Sequence, residues 1–188
     1  MSGFQKILAL CGALLMLFAG FAPAIAQQPS LAERLGLIEP KTAGRPYYVD
    51  FRAAHGSSIT GHTWITFGRV DPSGRVLSAQ NAELYPVEPE LGSYVGALAP
   101  VRGHVRVQPG EGRQLPVVRY RRFLSAGDYT RLQAAIAREQ RTNHQWSLWL
   151  FNCNDFAISI ADALNLRKPP ALMLPQTWVA TLRLLNGR

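Results

Sequence analysis

The sequence predicts an α+β domain with strands first and helices after. Between Tyr47 and Phe123, β-branched and aromatic residues alternate with polar ones in short runs bounded by turn residues. After Ser125 the apolar residues recur at helical spacing instead. No internal repeat, low-complexity tract or linker divides the two regions, so one domain carries both.

Tyr47-Tyr48-Val49-Asp50-Phe51 reads as a first strand and Gly61 to Gly68 as a second, rich in Thr, Trp, Ile and Phe. Asp71-Pro72-Ser73-Gly74 is a turn by composition, and Arg75 to Ala82 returns from it as a third strand. Val101 to Gln108 and Val117 to Phe123 complete an antiparallel region of about five strands, with a loop at Pro109 to Gly112. Ser125-Ala126-Gly127-Asp128 is a capping-box variant that opens a helix carrying Tyr129, Leu132, Ala135 and Ile136 on one stripe. A second helix begins near Asn152 and runs to about Asn165. Arg167-Lys168 suits its C-terminus and Pro169-Pro170 ends it. A third starts at Pro175, with Trp178, Val179, Leu182 and Leu185 in line. A short helix is expected around 31–37.

The N-terminus reads as a secretory signal peptide. Lys6 precedes an apolar run from Ile7 to Phe21, and Ala24-Ile25-Ala26 supplies the small residues a signal peptidase needs. Residues 1–26 are therefore expected to be removed near Ala26, leaving 27–188 as a single periplasmic or secreted domain. Loss of Lys6, the only charge in that segment, lowers the net charge from +8 to +7. The basic residues are almost all arginines and are dispersed, without a run of five to eight. That argues against nucleic acid as a partner and for attraction to anionic envelope surfaces.

Two cysteines are present, and Cys11 leaves with the signal peptide. Cys153 is then alone, which excludes a disulfide within the mature chain. A lone exported thiol is either a nucleophile or an inert buried hydrophobe. Its placement favours the first. Asn152-Cys153-Asn154-Asp155 puts it in the first turn of a helix, with Asn152 as N-cap and Asp155 reaching back, where free N–H groups and the helix dipole favour a thiolate. Asp155 itself works against that dipole.

Of His55, His62, His104 and His144, none forms a zinc spacing with another or with Cys153, so neither a metal nor a cofactor is expected. His62 is the candidate base. It shares a strand face with Trp64 and Thr66, read as cleft-facing, whereas Ile65 and Phe67 face the core. A hairpin closed at 71–74 places Glu83 roughly across from His62 and Asn81 diagonal to it, and either could orient the imidazole.

Gly61-His62-Thr63-Trp64 on a strand, followed much later by Asn152-Cys153-Asn154-x-Phe156 opening a helix, resembles the circularly permuted papain-like thiol enzymes. These include the lecithin–retinol acyltransferase-like proteins and the PPPDE-type thiol peptidases, related to the NlpC-type cell-wall peptidases. The resemblance implies a papain-like antiparallel sheet packed against helices, His62 as base, Cys153 as nucleophile and an acyl-thioenzyme intermediate. No second histidine follows on the next strand, unlike the acyltransferase-like branch. The expected function is hydrolysis of a peptide or amide bond, with peptidoglycan as the substrate the compartment suggests. The Cys153 backbone N–H, and Asn152 or a residue of the first strand, would be the oxyanion donors. A lipid-directed thiol acyltransferase or esterase, suggested by the basic charge and by Trp64, Trp146 and Trp149, and a non-catalytic binding module of the same fold are the alternatives.

Overall fold

The structure, a computed structural model, describes residues 42, 44–55, 61–110 and 115–187 of the 188-residue chain. The expected signal peptide, the helix expected at 31–37 and the loop residues 111–114 lie outside these. The described elements are strands β1 (Tyr47–Ala54), β2 (His62–Val70) and β3 (Val76–Pro86), helix α1 (Pro89–Val95), strands β4 (Val101–Pro109) and β5 (Val118–Leu124), helix α2 (Ala126–Arg141), strand β6 (His144–Trp146), and helices α3 (Cys153–Ala163) and α4 (Pro175–Asn186). The strands form one six-stranded antiparallel sheet in the order β5-β1-β2-β3-β4-β6. The α+β class matches the expectation, but the strands-then-helices order is broken by α1, which precedes β4, and by β6, which follows α2.

Two elements escape the sequence pattern. Helix α1 is one seven-residue stretch interrupted by Gly92, too short to show a period, and starts on Pro89 with no side-chain cap. Strand β6 has three residues. Strand β3 also runs on to Pro86, because Glu83, Leu84 and Tyr85 continue the alternation past Ala82.

One face of the sheet makes the core. Val49, Phe51, Ile65, Phe67, Ala82, Leu84 and Val105 meet Leu132 and Ile136 of α2, Phe156 and Ile160 of α3, and Trp178 and Leu182 of α4. Burial of this face against three amphipathic helices is the main stabilising term. Both predicted caps form. The Ser125 hydroxyl accepts from the Asp128 N–H at 3.1 Å, and the Asn152 N–H donates to the Asp155 carboxylate at 2.9 Å.

The opposite face is polar, yet Trp64 and Thr66, expected to line a cleft, are buried. Their cross-strand neighbours on β1 are Arg52 and Asp50. Asp50 is fully buried and collects three arginines. Arg121 donates at 2.7 and 2.9 Å, Arg52 donates at 2.7 Å, and Arg119 lies at 3.8 Å. Burial alone would raise the Asp50 carboxyl, but the Arg121 guanidinium, with Arg52 and Arg119, holds it below its ordinary value. No described helix is long and apolar enough to cross a membrane.

Candidate active site

Three residues from three elements converge where α3 begins. His62 opens β2, Glu83 stands on β3 and Cys153 is the first residue of α3. The Cys153 thiol and the His62 ring are close enough for each to shift the other's titration. His62 Nε2 also lies 3.3 Å from a Glu83 carboxylate oxygen, which leaves Nδ1 as the ring atom available to the sulfur. Glu83 is fully buried, and its other oxygen accepts from Gln108 Nε2 at 2.8 Å.

Burial on its own would push His62 down. Its hydrogen bonds to Cys153 and Glu83 and the charges of both overcome that and raise it from 6.5 to about 9. Burial likewise raises the thiol. The His62 contact, together with the Thr63 backbone N–H and side chain, reverses this and brings Cys153 below its ordinary value. Both shifts run in the direction that favours a thiolate beside an imidazolium. An imidazolium donates from both ring nitrogens, so it can serve the sulfur and Glu83 together. Tyr85 stacks on the ring at 4.4 Å between centroids and Trp64 lies roughly parallel at 6.1 Å, so the cation also sits against aromatic faces.

The register differs from the expected hairpin. An irregularity between Arg69 and Val70 shifts the pairing, so that Val70 faces Val76 while Ile65 faces Ala82. Carried toward the strand end, this sets Tyr85 beside His62 and moves Glu83 to the diagonal position, from which its longer side chain still reaches Nε2. Asn81 does not orient the imidazole. It faces Thr66, whose hydroxyl hydrogen-bonds the Asn81 side-chain oxygen at 2.6 Å.

Asn152 is occupied as a cap. Its Oδ1 accepts from the Asn154 N–H at 2.8 Å and its Nδ2 donates to the Leu148 carbonyl at 3.0 Å. The Cys153 N–H, in the first helical turn, has no intrahelical acceptor. Cys153, at the helix start, is buried and only 9 % exposed. Asp155 titrates upward because it is partly buried, although the Asn152 N–H bond opposes this.

Two supporting residues were not singled out from the sequence. Asn154, buried, donates through Nδ2 to the carbonyls of Ala171 and Met173 at 3.0 and 2.8 Å and accepts from the Thr63 hydroxyl at 2.7 Å. It therefore ties α3, the 171–173 loop and the strand segment that contacts the sulfur. Gly61 has φ +83°, and a Cβ there would stand 2.7 Å from the Ala54 carbonyl and 2.6 Å from Gln176 Nε2. The glycine of the Gly-His pair is thus required by backbone geometry. Gly61→Ala is expected to cost about 1–2 kcal/mol from the positive φ alone and to slow Cys153 alkylation by displacing His62. Thermal denaturation and labelling rates check both.

The other histidines have separate roles. His144 bonds the Glu139 carbonyl at 2.9 Å and stacks on Phe151, and His55 contacts Gln176 at 3.0 Å. His104 is held below its ordinary value by burial and by Arg106. Among the described residues, no cluster of three or more His, Cys, Asp or Glu side chains could hold a metal. No family model matches the chain, no curated protein is similar to it, and no solved structure matches it.

Proposed function

We propose that the protein is a cysteine hydrolase of papain-like design, with Cys153 as nucleophile, His62 as acid and base, and Glu83 as the group that orients the imidazole. What supports this reading is the chain of contacts at the start of α3: sulfur to imidazole to a fully buried carboxylate 3.3 Å away. The thiolate attacks an amide or ester carbonyl, and the oxyanion forms against the Cys153 N–H. Imidazolium passes its proton to the leaving nitrogen or oxygen as the C–N or C–O bond breaks, leaving an acyl-thioenzyme. Neutral His62 then takes a proton from water, whose oxygen attacks the thioester. The carboxylic acid departs, and the thiolate and imidazolium are restored. The substrate of this reading is a peptide or amide bond of the cell wall, after export and cleavage near Ala26.

A lipid-directed reading has its own observation. Leu98, Trp149, Leu150, Leu172 and Leu174 are all exposed, on loops tied to the start of α3. Leu148 N–H and Trp149 Nε1 donate to the carbonyls of Gly96 and Ala97, and Asn154 holds the 171–173 loop. Incubating mature protein with wall sacculi and with liposomes separates the two. New amino termini from sacculi support the peptidase, free fatty acid supports the esterase, and neither product, with a sluggish thiol, leaves a binding module.

A further inference from the structure

Beside the thiol–imidazole pair, the polar face of the sheet carries more positive charge than its carboxylates balance. Alternate positions of β4 bring Arg102 and Arg106 to that face, β5 brings Arg119 and Arg121, and β1 brings Arg52. Against these five stand Asp50 and Glu83, both buried. Asp50 is taken up by Arg52, Arg119 and Arg121.

Arg106 is joined to the site through Tyr85. Its guanidinium lies over the Tyr85 ring, 5.1 Å from the centroid, and the same ring stacks on His62 at 4.4 Å. Its contact with Glu83, at 4.0 Å, is too long for a hydrogen bond. Glu83 already accepts from Gln108 and faces His62 Nε2. Arg106 is 42 % exposed, and among the described residues no acceptor lies within hydrogen-bond distance of its N–H fork. Tyr85 therefore carries a planar, partly exposed cation on the ring that also stacks on His62, and its N–H fork suits a carboxylate or phosphate.

A second observation points the same way. Trp64 Nε1 and Asn81 Nδ2, both buried on this face, have no hydrogen-bond partner. Arg52, Arg106, Trp64 and Asn81 lie on the same sheet face as Glu83, and among the described strand residues Asp50 and Glu83 are the carboxylates of that face.

We propose that Arg106 selects substrates carrying an anionic group, a carboxylate above all, close to the bond that Cys153 attacks. The proposal rests on the thiol-hydrolase reading and narrows its substrate class. An anionic group gains the Arg106 fork and the positive field of the face, whereas a cationic group there meets Arg106 and imidazolium together. Arg106 is then a specificity residue, and its removal leaves the thiolate in place.

Iodoacetate and iodoacetamide are nearly the same size and alkylate the same sulfur, but only the first is charged. The ratio of their rates at Cys153, at pH 7 and low salt, therefore reads the charge of the rim and cancels changes in thiolate fraction. Arg106→Gln is expected to lower the ratio about fivefold, Arg106→Lys to keep most of it, and added salt to bring wild type toward the Gln variant. The iodoacetamide rate should stay within about twofold in all three. Equal ratios in the three proteins, with a reactive thiol, would overturn the Arg106 assignment alone. A Cys153 that reacts with neither reagent would overturn the thiol-hydrolase reading and carry this proposal down with it.

Discussion

Replacing Cys153 with Ser is expected to lower turnover by about a thousandfold or more while leaving the fold intact. Serine fits the site, and its hydroxyl can keep the His62 and Thr63 contacts made by the thiol. A serine hydroxyl is far less acidic than a thiol and stays protonated beside His62, whereas the proposed mechanism needs the proton already on the imidazole. His62→Ala is expected to lose about as much, and the double variant hardly more, because the two residues act as one unit. Glu83→Gln should lose less, because the amide still reaches His62 but no longer favours the imidazolium. The wild-type rate should hold on a plateau above the depressed thiol transition and fall as pH rises through about 9, where His62 gives up the proton that the leaving group needs. The same shift bears on stability. His62 titrates above its ordinary 6.5, so its share of the stability is fully present below about 6.5 and is lost as pH climbs through about 9. The depressed Cys153 thiol contributes with the opposite sign, its share being lost as pH falls through its folded value. Steady-state kinetics and thermal melts across pH separate the two effects.

Asp50→Ala is expected to be the most damaging single change to the fold, costing about 3–5 kcal/mol. The carboxylate is fully buried and takes hydrogen bonds from Arg121 and Arg52 with Arg119 close by. Deleting it leaves three cations facing one another across β1 and β5, two of them, Arg52 and Arg119, directly paired in the sheet. The melting temperature should fall by about 6–20 °C. The pH dependence has a definite sign. Asp50 is depressed in the folded state, so its contribution is present above its unfolded value of about 3.9 and is lost as pH falls through the lower folded value. Asp50→Asn should remove that acid-side loss and destabilise at neutral pH. A melt of Asp50→Ala within about a degree of wild type would remove the cluster from any account of stability.

The residues of the site were legible in the sequence where chemistry is local. The cap pattern Asn152-x-x-Asp155 marks the start of α3 and so places Cys153, and β-rich composition places His62 on a strand. The turn at Asp71 to Gly74 brings β3 back beside β2, which made Glu83 a candidate. What separates Glu83 from Asn81 is the irregularity at Arg69–Val70. The partner of His62 moves from the expected Glu83 to Tyr85, an offset of two residues, and such an offset keeps every side chain on its face and leaves no signature in the alternation. Tyr85, Thr63 and Asn154 went unread because their roles depend on that register or on a loop more than fifteen residues away. The arginines of the polar face read as dispersed surface charge, and only strand pairing gathers Arg52, Arg119 and Arg121 on the Asp50 carboxylate.

The central claim is that Cys153 is held as a thiolate by His62, and alkylation across pH tests it most directly. With iodoacetamide on the folded mature protein, the account predicts a rate that rises through a transition below the ordinary thiol value of about 8.5 and is already high at pH 7. In His62→Ala the transition should move up to that ordinary value or beyond, since burial remains and the cation is gone. A native thiol that labels slowly at every pH below 8, with the same profile in wild type and His62→Ala, would contradict the account and make Cys153 a packing residue.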